Sequence, residues 1–134
     1  MCSIIGYYGN EIAAPIIVKG LKRMEYRGYD SVGVATESNS QIELKKGVGK
    51  VEEVNSKIQL DTLPGKVGIG HTRWATHGKV TDVNAHPHSS NSEELAIVHN
   101  GIIENFEQLK KELEKDGYIF KSETDSEVIA NLLQ

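Results

Sequence analysis

One cysteine in the whole chain excludes an internal disulfide, and at position 2 it has no CxxC partner. No stretch approaches the ~20 apolar residues of a membrane span. The opening Met-Cys-Ser-Ile-Ile-Gly lacks the basic segment and the apolar length of a signal peptide. There is no basic block: 15 basic residues stand against 19 acidic ones, a net charge of −4. A phosphate-neutralising face for nucleic acid is therefore not expected. These absences predict a reducing, cytoplasmic setting with neither membrane nor nucleic acid as partner. What is present is ordinary for a folded domain. Hydrophobic residues make up 38%, glycines number 13 and charged residues are 25% of 134 residues. That length suits one domain and excludes the disordered and fibrous classes.

The pattern predicts mixed elements. Residues 3–8 (SIIGYY) read as a strand, being branched and aromatic. Residues 11–25 read as a helix, with Pro15 in its first turn and Ile17, Leu21 and Met24 at helical spacing. Residues 32–36 and 42–46 look like two strands across the polar turn 37–40, 51–60 is weakly helical, and 67–71 is a buried strand. Residues 74–92 form a long loop, which at that length is expected to be functional. Residues 95–99 read as a strand. Residues 105–115 read as a helix with a capping box from Asn105 and Gln108 and a closing Gly117. A short strand follows at 118–121. Thr124 to Glu127 then read as a capping box opening a last helix. The chain stops at Gln134 while that helix pattern is still running, and the expectation is a piece of a longer chain.

Three features have a plainer reading when each is taken by itself. Gly47-Val48-Gly49-Lys50 lacks the spacing and the hydroxyl of a phosphate loop, and reads as a turn. His86-Pro87-His88 is not at the helical spacing of a zinc pair, and its histidines read as loop residues bonded to backbone and water. Asn100-Gly101 is a strong hairpin signal if taken alone.

Cys2 is different. Once Met1 is removed, it carries a thiol and a free α-amine on one residue. That amine titrates near ~7.7–8.0, well below lysine, so it can serve as general base to the thiol beside it. Amide cleavage also needs donors where negative charge develops, and the Asn100 side chain and Gly101 N–H could supply them. Arg73 can hold an α-carboxylate in a bidentate grip. Asp125 could hold an α-ammonium, or only complement a helix dipole.

At this point a resemblance enters. Cys2-Ser3-Ile4-Ile5-Gly6 resembles the start of the class II glutamine amidotransferases, which are N-terminal-nucleophile hydrolases. Residues 25–31 (EYRGYDS), 71–78 (HTRWATHG), 84–88 (NAHPH), 99–105 (HNGIIEN) and 123–125 (ETD) look like the glucosamine-6-phosphate synthase family within that class. Sister families of purine and asparagine synthesis share the terminal Cys and the Asn-Gly pair, but do not usually carry the two longer strings.

The resemblance implies an α+β fold, a four-layer αββα sandwich with antiparallel sheets, of which residues 1–134 would supply the N-terminal part. It implies that Cys2 attacks L-glutamine, that Asn100 and Gly101 hold the oxyanion, and that a γ-glutamyl thioester is then hydrolysed to glutamate. Arg73, helped by Thr76 and His77, would hold the substrate carboxylate, and Asp125 its ammonium. Trp74 would sit on a mobile loop over the site rather than in the core. Ammonia would pass to a sugar isomerase domain of the same full-length chain, itself a homo-oligomer, to aminate fructose 6-phosphate. No metal or organic cofactor is implied. The competing readings are a glutaminase feeding a phosphoribosyl acceptor and a non-catalytic glutamine-binding remnant. Ser3 departs from the family's glycine, and its side chain beside the nucleophile is expected to crowd the substrate or restrict the backbone. Missing strands are expected to leave apolar faces open, making 134 residues alone unstable or poorly active.

Overall fold

The structure, a computed structural model, describes residues 1–75 and 78–134. Its elements run β1 (Ser3–Tyr8), α1 (Ala13–Met24), β2 (Ser31–Ser38), β3 (Gln41–Val48), α2 (Val51–Ile58), β4 (Val67–Arg73), β5 (His88–Ser89), β6 (Ala96–Ile97), α3 (Phe106–Lys115) and α4 (Glu127–Leu133). Four strands form an antiparallel sheet in the order β1-β4-β2-β3, and β5 pairs with β6.

Register decides which side chains share a face, since a strand alternates faces with period 2. Thr72 of β4 pairs with Ser3 and Val32, and Gly70 with Ile5 and Val34, on the face under α1. There Ala13, Ala14, Ile17, Val18 and Leu21 of α1 meet Val32 and Val34, with Val51 and Val54 of α2 and Leu60 and Leu63 closing the core. Gly68 and Gly70 let α1 lie close. A Cβ at Gly68 would stand 2.8 Å from the Ile17 Cδ1, and one at Gly70 would overlap Ile17 and stand 2.9 Å from the Leu21 Cδ1. The opposite face carries the β5–β6 pair, and α4 packs on that pair and on α3. Helices, sheet, short strand pair and helices thus make four layers.

The β2–β3 connection is tighter than the turn read from sequence. Asn39 and Ser40 have φ of 52° and 62°, the left-handed pair that suits the twist of a two-residue hairpin. Three other expectations are corrected. The strand at 95–99 shrinks to Ala96–Ile97. No strand forms at 118–121. The Tyr118 N–H goes to the Leu113 carbonyl at 3.0 Å and the Ile119 N–H to Asn91 Oδ1 at 2.6 Å, so these donors are spent before a ladder can use them. Neither capping box forms as read. Asn105 makes no side-chain cap, and Gln108 bonds Glu112 at 3.0 Å instead. Glu127 turns back to accept the N–H groups of Lys121 at 2.8 Å and Ser122 at 2.7 Å, because a carboxylate can satisfy two loop donors at once.

Candidate active site

Strand β4 brings His71 and Arg73 to the face away from α1, both essentially buried. The pairing of Ile4 with His71 carries Cys2 to the end of the sheet, on that same face. The Cys2 Sγ accepts the Trp74 N–H at 3.1 Å and lies 3.4 Å from the Trp74 carbonyl. The Asn100 Nδ2 donates to the Cys2 carbonyl at 3.1 Å, and its Oδ1 lies 2.7 Å from His71 Nε2. Asp125 is buried, and its Oδ2 accepts the Ile103 N–H at 2.7 Å. Arg73 donates to the carbonyls of Lys79 at 3.0 Å and Gly78 at 3.5 Å. Cys2, Arg73, Trp74, Asn100, Gly101 and Asp125 line one cavity of about 400 Å³. Thr76 and His77 lie outside the described residues.

Met1 is still attached, so the Cys2 nitrogen is a peptide nitrogen here. The α-ammonium belongs to Met1 and donates to the Arg27 carbonyl. The Ser3 side chain lies on the face away from the thiol. Ser3 pairs with Thr72 on the α1 side, where its Oγ lies 3.5 Å from the Met24 carbonyl. Trp74 is half exposed, with its ring set edgewise to Tyr29 at 6.2 Å, so it is no core aromatic. Asn100-Gly101 turns no hairpin. It follows β6, with Gly101 at φ +157°.

Residues 83–87, beyond β4, are bolted down. Lys46 reaches from β3 to the carbonyls of Val83, Ala85 and Pro87 at 3.1, 2.7 and 3.0 Å. Burial lowers its pKa to about 8. Gly33, opposite His71 on the sheet, leaves the space into which the His86 carbonyl and Pro87 fit. The imidazole of His86 therefore stacks on that of His71, with centroids 4.2 Å apart and planes 18° apart. His88 meets His86 edgewise at 4.5 Å, and its Nε2 lies 2.8 Å from Thr124 Oγ1. The sequence reading placed these loop histidines against backbone and water; they are buried against each other instead. Burial drives all three pKa values down, to about 4 for His71 and further for His86 and His88, so the column is neutral. Asp30 holds the next stretch, its carboxylate accepting the Ala75 N–H. Asn84 and Glu123 join the loop to the segment before α4, the Glu123 N–H donating to Asn84 Oδ1 at 2.8 Å.

A half-buried thiol, amide donors and opposite charges round one cavity are a set that amide transfer can use. The model of the glutamine amidotransferase domain matches residues 57–134. The chain belongs to the glutamine amidotransferase domain family. Over its whole length it is 57% identical to glutamine–fructose-6-phosphate aminotransferase [isomerizing] of Pyrococcus horikoshii, and it spans 22% of that relative. Against the relative of the same name from Methanococcus maripaludis the identity is 58%, again with 22% of the relative covered. Among solved structures it is similar to glutamine phosphoribosylpyrophosphate amidotransferase from B. subtilis. That match has a TM-score of 0.80 at 34% identity and covers 97% of this chain and 28% of the other. A structure of the allosteric regulatory enzyme of purine biosynthesis matches with a TM-score of 0.82, at the same identity and coverage. The α+β fold of the N-terminal-nucleophile hydrolases, expected from the resemblance, is the fold of this amidotransferase domain.

Of the residues read from sequence, Cys2, Arg73, Trp74, Asn100, Gly101 and Asp125 converge on the cavity. Sequence reading gave no role to His71, Asp30 or Arg27. A signal for His71 existed: the alternation Val67-Gly-Ile-Gly-His-Thr-Arg73 puts His71 on the face of Arg73. Among the described residues no cluster of three or more His, Cys, Asp or Glu side chains could hold a metal, and no helix is long and apolar enough to cross a membrane.

Proposed function

We propose that this domain hydrolyses L-glutamine to glutamate and ammonia through a thioester on Cys2. The observation that carries the reading is the cavity itself, where the thiol, the Asn100 amide and the Arg73 and Asp125 charges share one space. With Met1 removed, the Cys2 α-amine takes the thiol proton, directly or through a water, and the sulfur attacks the carboxamide carbon. Asn100 Nδ2 and the Gly101 N–H receive the oxyanion. The amine proton passes to the leaving nitrogen, ammonia departs, and water hydrolyses the γ-glutamyl thioester. Arg73, with Thr76 and His77, holds the substrate carboxylate, Asp125 holds the ammonium, and Trp74 covers the site.

In the complete protein the ammonia aminates fructose 6-phosphate to glucosamine 6-phosphate, on a sugar isomerase domain of the same chain. Residues 1–134 are then the first part of an amidotransferase domain in a homo-oligomeric cytoplasmic enzyme of hexosamine synthesis. Identity of 57% to an aminotransferase named for fructose 6-phosphate supports this over a phosphoribosyl acceptor, whose named structure stands at 34%. The test is intact mass of the complete protein before and after a diazo-ketone analogue of glutamine. Loss of Met1 and one adduct on Cys2 is the expected result. Met1 lost with no adduct, or an adduct on another residue, rejects the assignment of Cys2.

A further inference from the structure

The carboxamide of an asparagine has two faces of opposite polarity, and catalysis by the proposed route needs one of them. The Cys2 carbonyl can only accept, so the Asn100 group 3.1 Å from it is the NH₂. The Asn100 oxygen then faces His71 Nε2 at 2.7 Å, and an oxygen can only accept, so Nε2 carries the proton. His71 does not line the cavity. It is fully buried at the centre of the sheet, between Ile4 of β1 and Gly33 of β2, with the ring of His86 stacked on its own. Asn100 belongs to an irregular, exposed stretch beyond β6, where no ladder bond orients it.

We propose that His71 is a positioning residue, whose Nε2–H fixes the Asn100 carboxamide with its NH₂ on the Cys2 side, where it meets the Cys2 carbonyl, and so at the rim of the cavity that the thiol lines. The inference rests on the reading of Asn100 as an oxyanion donor. His86, stacked face to face, keeps the His71 ring from turning, and the contact of His88 with Thr124 anchors the column at its other end. A neutral ring suits the task. It offers its one donor to Asn100 and puts no charge beside the thiol. Burial keeps the ring neutral throughout the neutral range, since His71 titrates at about 4.

The test is a double-mutant cycle in the complete protein, with His71→Phe, Asn100→Ala and the pair. Phenylalanine keeps the ring and its stack on His86 and removes the donor. His71→Phe is expected to lower kcat for glutamine hydrolysis ~10–100-fold, with KM changed less than ~3-fold, because the loss falls on the transition state. Binding of an aldehyde analogue of glutamine, which forms a tetrahedral adduct on the thiol, should weaken in parallel. His71→Gln, which keeps an N–H, should recover much of the loss. The double variant should be no slower than Asn100→Ala alone, since His71 acts only through Asn100. If His71→Phe does not fold, His71→Met takes its place in the cycle. Unchanged kcat in the donor-less variant, a rise in KM alone, or losses that multiply in the double variant would overturn the positioning role while glutaminase activity stands. Wild-type protein without glutaminase activity, or Asn100→Ala with full activity, overturns the parent reading and this one with it.

Discussion

The two faces of one sheet obey different rules. Under α1 the contacts are apolar and the glycines of β4 face side-chain methyl groups. On the opposite face the same strands present Cys2, Gly33, His71 and Arg73, and the packing partners are polar: an imidazole column, a lysine on carbonyls, loop backbone. The apolar face can yield by small rotations of Ile17 or Leu21. The polar face is pinned by hydrogen bonds and by backbone lying directly on the sheet, so it has few ways to relax. The first face supplies stability, and the second holds groups in fixed directions.

Breaking that contrast gives graded outcomes. The largest concerns Cys2. Cys2→Ala in the complete protein should lower glutamine hydrolysis at least ~10³-fold, as loss of a nucleophile does. The melting temperature should hardly move, because Cys2 is no part of the apolar core. Next come two glycine substitutions, one on each face. Gly33→Ala would drive a methyl into the His86 carbonyl and should cost more than ~3 kcal/mol by urea denaturation. Gly70→Ala meets side-chain methyl groups of Ile17, Leu21 and Ile5 rather than backbone, and should cost about 1–3 kcal/mol. Equal costs would mean that the polar face is as yielding as the apolar one.

The third outcome is a pH dependence. His71 titrates near ~6.5 when unfolded and at about 4 when folded. Between those values the unfolded chain binds the extra proton, so the stability present above pH ~6.5 is lost as pH falls toward 4. His71 alone accounts for about 3 kcal/mol by the bottom of that window. His86 and His88 act in the same direction. Unfolding free energies between pH 6.5 and 5, above the range of ordinary carboxylates, isolate this contribution. A flat profile there would mean that the column is solvated. The smallest effect is at the surface. Lys22 and Glu52 pair at 3.2 Å with side chains 53% and 75% exposed, and Lys22→Ala should change stability by less than ~0.5 kcal/mol.

The sequence by itself determined much. The patterns read over residues 3–8, 11–25 and 67–71 named the elements that hold the site, found at Ser3–Tyr8, Ala13–Met24 and Val67–Arg73, because branched and apolar spacing is a local property. Cys2, Arg73, Asn100, Gly101 and Asp125 were legible from their chemistry and from the strings that carry them. The helix caps were misread because a side chain that can cap locally can also be taken by distant groups. Thr124 bonds His88, and Glu127 serves the loop before it. Only the tertiary structure decided that His86 lies on His71 and that His71 faces Asn100, 29 residues away in sequence. No spacing in a chain encodes such a meeting. It depends on strand register, on the room left at Gly33, and on the loop that Lys46 draws across the sheet.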